Sequence, residues 1–382
     1  VSGGEVDAEV HAILKLKNPV EKFARLRASS QPQAQFLWAV FRDVFHYCAY
    51  HLADIADNAR DVDFAMRWGF GWQQGPFETW QAAGWQDTAR AVQSDIAAGK
   101  GMTAAPLPAW GNENQGVHSA QGSYSASANS IKARSTLPVY RRQHFPERVL
   151  DEVQDAGKTV FENDAVRMWE TAGGDEVAIL SFKSKMCAIG ADVAQGIVEA
   201  VARAERDYKG LVIWQSKPPF SVGANLMALA PAFMARDFAA LDKAVHGFQR
   251  MTQTLTYAQV PVVAAVNGMA LGGGCEVVMH CTRSVAALES YFGLVEAGVG
   301  LIPAGGGCKE FALRAHQSAQ KVAGNDPLPF LSNVFQTIAM TTTSRSALEA
   351  KELGFLRDAD PVVFHQHEIL HVAKQKARGL FE

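Results

Sequence analysis

Short, almost wholly apolar segments alternate with helical patterns in the second half of this chain, and this alternation restricts the fold more than any other feature. The segments 177–182, 210–214 and 262–266 have the length and composition of strands. Residues 191–208 carry apolar side chains at three- and four-residue steps, which predicts an amphipathic helix. Strands that are apolar on both faces are typical of a sheet covered by helices. The sequence therefore predicts an α/β architecture with a buried sheet, and mainly helical structure from about residue 307 onward.

The first hundred residues have a different pattern, with apolar side chains at helical spacing, most clearly over residues 35–52. Asp61 is a candidate N-cap and Gly69 a candidate C-terminal stop for one of these helices. Residues from about 100 to 145 lack periodicity and contain several Pro, Gly and Ser residues, which is typical of a linker. We expect a helical domain, a linker and an α/β domain, with the boundaries 1–100, 101–145 and 146–382.

The composition excludes several classes of protein. The 382 residues include 48% hydrophobic and 20% charged side chains and carry a net charge of −3, which does not favour a nucleic-acid-binding surface. No apolar run reaches the roughly 18 residues that a membrane-spanning helix needs. The cysteines form no C-x-x-C pair and their number, 5, is odd, so a reducing compartment, the cytoplasm, is expected. The start, Val1–Gly4, lacks Met and a signal-peptide pattern, which suggests a piece of a longer protein.

The first segment that could carry chemistry is 220–226, Phe-Ser-Val-Gly-Ala-Asn-Leu, which follows the second predicted strand. A turn of small residues before a helix exposes backbone N–H groups, and these groups can donate to an oxyanion. Taken alone, the segment is better explained as a plain glycine turn.

The second segment is 267–276, Asn-Gly-Met-Ala-Leu-Gly-Gly-Gly-Cys-Glu, which follows the third strand. Asn267–Gly268 is predicted to be the turn that closes this strand. The glycine run allows close approach to a ligand, and it leads into the N-terminus of an apolar helix. Its spacing fits neither a dinucleotide fingerprint nor a phosphate-binding P-loop. The alternative is a tight packing turn, with Glu276 as an ordinary acid in the first turn of the helix.

The third segment, 292–307, contains Glu296 in otherwise apolar surroundings. Carboxylates are rarely buried without a partner or a purpose, and an apolar pocket raises the pKa of a carboxyl toward the range useful for proton donation. The alternative is a surface acid on a loop.

Together and in this order, the three segments resemble the crotonase (enoyl-CoA hydratase/isomerase) superfamily over residues of roughly 175 to 315. The resemblance implies a spiral of ββα units that binds acyl-CoA in a cleft. It implies an oxyanion hole formed by the backbone N–H groups of Ala224 and Gly273, with Gly223 and Gly272 as further substrate-binding positions.

The same resemblance implies that Glu276 deprotonates a water for attack at C3 and that Glu296 protonates C2. The two glutamates are 296 − 276 = 20 positions apart, as in the hydratases of this family. Hydration of a 2-enoyl-CoA is therefore the expected activity, with acyl-CoA as substrate, no cofactor and no metal. An enoyl-CoA isomerase and a non-catalytic acyl-CoA-binding or assembly module are the alternatives, and homo-oligomers are left open.

Two departures from the family pattern affect acyl-chain specificity more than the reaction class. Asn225 stands where the family often has Asp, and residues 183–188, Lys-Ser-Lys-Met-Cys-Ala, replace a more usual stretch. Lys183 and Lys185 are candidates for contacts with CoA phosphates, although exposed lysines beside a strand are more often only solvated.

Residues 61–78 resemble the helical C-terminal domain of 3-hydroxyacyl-CoA dehydrogenases. Joined to a crotonase domain, this part resembles a multifunctional fatty-acid β-oxidation protein. No G-x-G-x-x-G follows an N-terminal strand, so NAD binding and dehydrogenase activity are expected only in a longer parent protein. The alternative is an unrelated helical packing module.

Residues 367–371, His-Glu-Ile-Leu-His, match the H-E-x-x-H pattern of zinc proteases. On one helix the two histidines would lie one turn apart and could bind zinc. No His, Asp or Cys follows His371, and the segment fits a terminal helix that packs on the α/β domain. A metalloprotease is therefore the weakest of the alternatives.

Overall fold

The chain forms two compact units in a computed structural model that describes residues 4–174, 176–322 and 324–382. The first unit comprises residues up to 136 together with residues 147–154, and the second comprises residues 137–146 and 155–382. Of the unusual start Val1–Gly4, only Gly4 lies within the described residues. No helix in the described part is long and apolar enough to cross a membrane.

The first unit is mainly helical, which confirms the prediction for residues 5–100. Its helices are α1 (Ala8–Leu14), α2 (Pro19–Ala28), α3 (Pro32–Ile55), α4 (Ala59–Phe70), α5 (Pro76–Ala82), α6 (Trp85–Ala97) and α7 (Ala109–Glu113). Three short strands form an antiparallel sheet in the order β1 (His118–Ser119), β2 (Gly122–Ser125) and β3 (Ser130–Lys132).

Both predicted ends of α4 were wrong by two or three residues. Asn58 is the N-cap, because its side-chain oxygen accepts the N–H of Arg60 at 3.0 Å, and Asp61 instead accepts a hydrogen bond from the Asn58 amide. Gly71 is the C-cap in the left-handed conformation at φ 69°, which glycine adopts without steric cost.

The segment expected as a linker contains ordered structure that belongs to the first unit. Its aromatic residues pack in the core although they do not recur at a regular spacing in the sequence. The centroid of the Trp110 ring lies 4.9 Å from that of Tyr124 and 6.2 Å from that of Trp85. Val117 and Tyr124 are part of the hydrophobic core of this unit.

A buried polar network joins the sheet of the first unit to helix α5. Nε2 of His118 lies 2.6 Å from Oδ2 of Asp63, and Nδ1 lies 2.9 Å from Oγ of Ser123. Asp63 also accepts the N–H groups of Phe77 and Glu78 at the start of α5. The carboxylate therefore satisfies helix N–H groups that would otherwise lack partners.

The second unit has a seven-stranded mixed sheet. Its strands are β4 (Lys158–Glu162), β5 (Val166–Glu170), β6 (Val177–Phe182), β7 (Gly210–Trp214), β8 (Val262–Leu271), β9 (Arg283–Gly293) and β10 (Val362–Val363). The sheet order is β10-β9-β8-β7-β6-β5-β4, parallel from β10 to β6 and antiparallel from β6 to β4.

The helices of this unit account for the predicted helical pattern. They are α8 (Pro138–Arg141), α9 (Ala191–Asp207), α10 (Leu226–Ala235), α11 (Phe238–Thr256), α12 (Gly273–His280), α13 (Gly307–Ala319), α14 (Leu328–Ala339), α15 (Ala347–Glu352) and α16 (Ile369–Phe381).

Alternating side chains of the central strands are buried on both faces of the sheet, as the sequence predicted. In β8, Ala264 and Val266 belong to the large cluster that includes side chains of α9 and α12, whereas Val263 and Ala265 pack in a second cluster with α16. Because successive side chains of a strand point to opposite faces, this pattern requires a strand that is apolar on both sides.

The predicted turn at Asn267–Gly268 was wrong, because β8 continues through it. The pairing of β8 with β9 shifts register between Val266 and Gly268, and Gly268 has φ +72°. A glycine that supplies a positive φ absorbs the irregularity as a β-bulge rather than ending the strand. The continued strand leads to Gly272, the N-cap of α12.

Candidate active site

Two backbone segments meet beside the end of β8. The Ser221 N–H donates to the Met269 carbonyl and the Leu271 N–H donates to the Ser221 carbonyl, both at 3.0 Å. These bonds hold the small-residue segment alongside β8, which brings Ala224 next to Gly273. The two residues proposed from sequence for one oxyanion hole, 49 positions apart, are thus neighbours in the structure.

The approach of these two segments leaves room only for glycine at key positions. A Cβ atom on Gly223 would lie 2.9 Å from the Gly273 nitrogen, and one on Gly273 would lie 3.2 Å from the Ala224 nitrogen. Gly223 also has φ +95°, which disfavours any other residue. Within the described residues, neither the Ala224 nor the Gly273 N–H has an acceptor. Both donors can therefore bind an oxygen that gains negative charge.

Glu276 lies in the first turn of α12 and is buried, with 3% of its surface exposed. Its Oε1 accepts the N–H of Gly307 at 2.8 Å. Burial and the negative charge of Glu296 raise the pKa of Glu276, and the N–H groups of Gly305–Gly307 oppose the rise, so that the pKa is about 7. The carboxyl therefore changes protonation state near neutral pH, as a general base requires.

Glu296 begins the 3-10 turn Glu296–Val299, shortly after β9 ends at Gly293. A Cβ atom on Gly272 would lie 3.2 Å from Oε1 of Glu296, so the glycine makes space for this carboxyl. Oε2 is buried and has no hydrogen-bond partner among the described residues. Burial raises the pKa of Glu296, which favours its protonated form.

Phe248 was missed by the sequence analysis, because nothing local distinguishes it from other apolar positions of α11. Its ring packs between the two glycine loops: a Cβ atom on Gly273 would lie 2.6 Å from Cζ, and one on Gly305 would lie 2.5 Å from Cδ1. Residues 305–307 lie in the third segment of the sequence analysis, but their N–H contacts with Glu276 could not be inferred from the sequence.

The two lysines that are candidates for contacts with CoA phosphates have different surroundings. Nζ of Lys183 lies 2.9 Å from Oε1 of Glu162 and 2.8 Å from the carbonyl oxygen of Asn163, so this charge has protein partners. Lys185 is exposed in a short 3-10 turn. Asn225, the departure from the family pattern, caps helix α10 with its side chain.

The H-E-x-x-H segment does not form the predicted pair of histidines on one helix. His367 lies in the 3-10 turn Gln366–Glu368, and α16 begins only at Ile369. Across residues 4–174, 176–322 and 324–382, no three His, Cys, Asp or Glu side chains are grouped as metal ligands would be. The metalloprotease alternative therefore has no support from the geometry.

Comparison with known families identifies part of the chain directly. The family model described as enoyl-CoA hydratase/isomerase matches residues 174–327, which include both glutamates and both glycine loops. Residues 174–327 belong to the enoyl-CoA hydratase/isomerase family. The resemblance drawn from the three motifs is thereby confirmed, and so is the crotonase-type α/β fold expected for this hydratase/isomerase domain.

Curated relatives extend the similarity beyond the hydratase/isomerase domain. A Bacillus subtilis (strain 168) protein named "Probable 3-hydroxyacyl-CoA dehydrogenase" is 34% identical over 98% of this chain and 45% of its own length. The fatty acid oxidation complex subunit alpha of Psychrobacter cryohalolentis is 32% identical over 42% of the chain and 20% of its own length. The chain spans less than half the length of these relatives.

Solved structures resemble part of the chain at low sequence identity. An enoyl-CoA hydratase from Polaromonas sp. JS666 is 24% identical, with a TM-score of 0.46, and the match covers 56% of this chain and 77% of that one.

Proposed function

We propose that this chain adds water to the double bond of a 2-enoyl-CoA and forms a 3-hydroxyacyl-CoA in fatty-acid β-oxidation. The observation that carries the proposal is the combination of a buried carboxyl, Glu276, and a half-buried one, Glu296, with two N–H groups that have no acceptor among the described residues. The names of the relatives, a 3-hydroxyacyl-CoA dehydrogenase and a fatty acid oxidation complex subunit, support the same pathway.

In the proposed mechanism, the thioester oxygen binds to the N–H groups of Ala224 and Gly273. Glu276 takes a proton from a water, whose oxygen forms a bond to C3 while the π electrons of the C2–C3 bond move toward the thioester. The oxyanion hole stabilises the resulting enolate, and losing one such donor costs roughly 3–4 kcal/mol of transition-state stabilisation. Glu296 then delivers its proton to C2, and proton exchange with solvent restores both carboxyls.

The electrostatics of the glutamate pair favour one proton shared between the two carboxyls. Burial disfavours two negative charges side by side, and the charge of Glu296 raises the pKa of Glu276. A single proton on the pair is therefore the favoured state, and it is the state that supplies one acid and one base.

The remaining assignments extend the proposal to the whole chain. Hydration needs acyl-CoA and no cofactor, while NAD would belong to a dehydrogenase domain of a longer parent protein. We propose three functional parts: a helical dehydrogenase-like part (1–100), a linker (101–145) and a hydratase part (146–382). Gly223 and Gly272 have no side chain, so the substrate can approach the backbone closely at these positions. All five cysteines are free, which supports a cytoplasmic location.

The test is to mix the chain with crotonyl-CoA and to follow loss of the conjugated thioester absorbance, with product identification by mass spectrometry. Glu276→Gln should abolish turnover because an amide cannot accept the proton of water. Glu289→Gln, at an exposed position on β9, is the matched control and should retain activity.

Three results would contradict the proposal in different ways. Conversion to a shifted double bond without hydration would favour an isomerase. Binding of crotonyl-CoA without turnover would favour a binding or assembly module. Equal rates for the wild type and Glu276→Gln would refute the assignment of the base.

A further inference from the structure

A buried histidine lies directly behind the glutamate that we propose as the base. His280 is the last residue of α12, one turn after Glu276, and its Nδ1 lies 2.6 Å from the Glu276 carbonyl oxygen. Because a carbonyl only accepts hydrogen bonds, Nδ1 carries a proton. Burial lowers the pKa of His280, so the ring is neutral near pH 7 and Nε2 has a free lone pair.

The other edge of the imidazole faces the glycine loop. A Cβ atom on Gly306 would lie 2.5 Å from Nε2, so the ring packs directly against the Gly306 backbone, which has φ +121°. Nε2 is buried and has no hydrogen-bond partner among the described residues. A buried nitrogen without a hydrogen-bond partner lowers the free energy of unfolding, so the position of Nε2 against the loop calls for an explanation.

Two further side chains hold the same loop from α11. The Thr252 hydroxyl donates to the Gly305 carbonyl at 2.7 Å, and the Gln249 amide donates to the Ala304 carbonyl at 2.8 Å. The N–H groups of Gly305–Gly307 meanwhile interact with the Glu276 carboxylate. The loop is thus held through its carbonyls and its Gly306 backbone while its donors face the base.

The charged groups around this histidine come from the helix that follows the loop. Oε1 of Glu310 lies 3.9 Å from Nε2, and Lys309 and Arg314 oppose its effect on the pKa of His280. The titratable groups facing Glu276 itself are Glu296 and the thiols of Cys275 and Cys308.

We propose that His280 is a positioning residue, which holds the Gly305–Gly307 loop so that its N–H groups stabilise the ionised form of Glu276. The inference rests on the proposed role of Glu276 as the base. Without the imidazole, Gly306 can move into the vacated space, and the carboxylate loses hydrogen bonds that oppose the effects of burial and of Glu296. The histidine therefore favours the ionised form of the base without touching the substrate.

The experiment measures the protonation of Glu276 directly, independently of turnover. Carbon-13 NMR of protein labelled at glutamate carboxyls, with Glu276→Gln to assign the signal, gives the titration midpoint. In His280→Ala the midpoint should move up by about one pH unit, the scale of effect that lost hydrogen bonds have on a carboxylate. The acidic limb of the kcat/KM profile for crotonyl-CoA should move in the same direction.

Thr252→Val keeps the inference testable if His280→Ala does not fold, because it releases the same loop and should shift the midpoint in the same direction. His316→Ala, at an exposed position on α13, is the control and should leave the midpoint unchanged. The inference would be overturned if His280→Ala showed native circular dichroism and an unchanged titration midpoint for Glu276. If His280→Ala does not fold, the same result in Thr252→Val would overturn it. A shifted midpoint in an enzyme that does not hydrate crotonyl-CoA would support the inference and refute only the proposed function.

Discussion

The N–H of Gly307 donates to Oε1 of Glu276 over 2.8 Å, although the two residues are 31 positions apart in the chain. This bond joins the start of α13 to the first turn of α12. A hydrogen bond from a backbone N–H to a carboxylate favours the ionised form, whereas burial favours the neutral form. These opposing effects, together with the negative charge of Glu296, leave the pKa of Glu276 at about 7.

Replacement of Glu296 by Gln should reduce kcat for crotonyl-CoA by about 10²–10⁴-fold, the usual contribution of a general acid. The amide has nearly the same shape as the protonated carboxyl but no proton to give to C2. Stopped-flow absorbance measures the rate, and Glu289→Gln serves again as the exposed control. Unchanged kcat in a folded variant would remove Glu296 from the mechanism.

Addition of a methyl group at Gly273 should lower kcat by about 10²–10³-fold, the effect of losing an oxyanion-hole donor. The new Cβ would meet Cζ of Phe248 at 2.6 Å and would approach the Ala224 nitrogen, so the two donors must separate. Gly247→Ala on α11 is the matched control. No atom lies within 4 Å of a Cβ there, and the helix should gain about 0.5–1 kcal/mol. Comparable kcat values for both variants would contradict the proposed donor geometry.

Glu276→Gln should stabilise the second unit at pH 8 relative to the wild type, and the gain should be smaller at pH 5. The folded state raises the pKa of Glu276 above its unfolded value, so between roughly pH 4.3 and 7 the folded state binds more protons than the unfolded state. Stability from this group is therefore present at low pH and is lost as the pH rises. The difference should reach on the order of 3 kcal/mol. Calorimetric melting at both pH values tests this, and a gain independent of pH would contradict it.

His118→Ala should destabilise the first unit by about 3–5 kcal/mol, because it removes the imidazole partner of the buried Asp63 carboxylate and leaves it only the N–H groups of Phe77 and Glu78. Both side chains are completely buried, and burial raises the pKa of Asp63. Tryptophan fluorescence follows unfolding, since Trp80 and Trp85 stack in this unit at 4.0 Å. His11→Ala, exposed on α1, should change stability by less than about 0.5 kcal/mol.

The sequence was sufficient for the parts of the fold and site that depend on local pattern. Strands buried on both faces, such as β7, and the amphipathic face of α9 follow from periodicity alone. The pairing of Ala224 with Gly273 came from the family resemblance, because no periodicity relates two loops that meet across β8.

The features that escaped prediction depend on contacts between distant residues. The pair Asn267–Gly268 is typical of a turn, but β8 continues to pair with β9 beyond Gly268, so the irregularity there is a bulge. Phe248 and His280 look like ordinary helix positions, and only the folded loops show what they touch.

The chain passes from the first unit to the second, returns to the first and then enters the second again. This order limits how the two units can be expressed separately. Glu152, in the returning segment 147–154, pairs with Arg60 and Arg134 of the first unit, whereas Phe145, just before it, packs within 5.1 Å of Trp169 in the second. A single cut after residue 136 deprives the first unit of Glu152, and a single cut after residue 154 deprives the second of Phe145. A single cut therefore always removes a native segment from one of the two units. Only a chain that contains both units keeps the contacts of Glu152 and of Phe145 together.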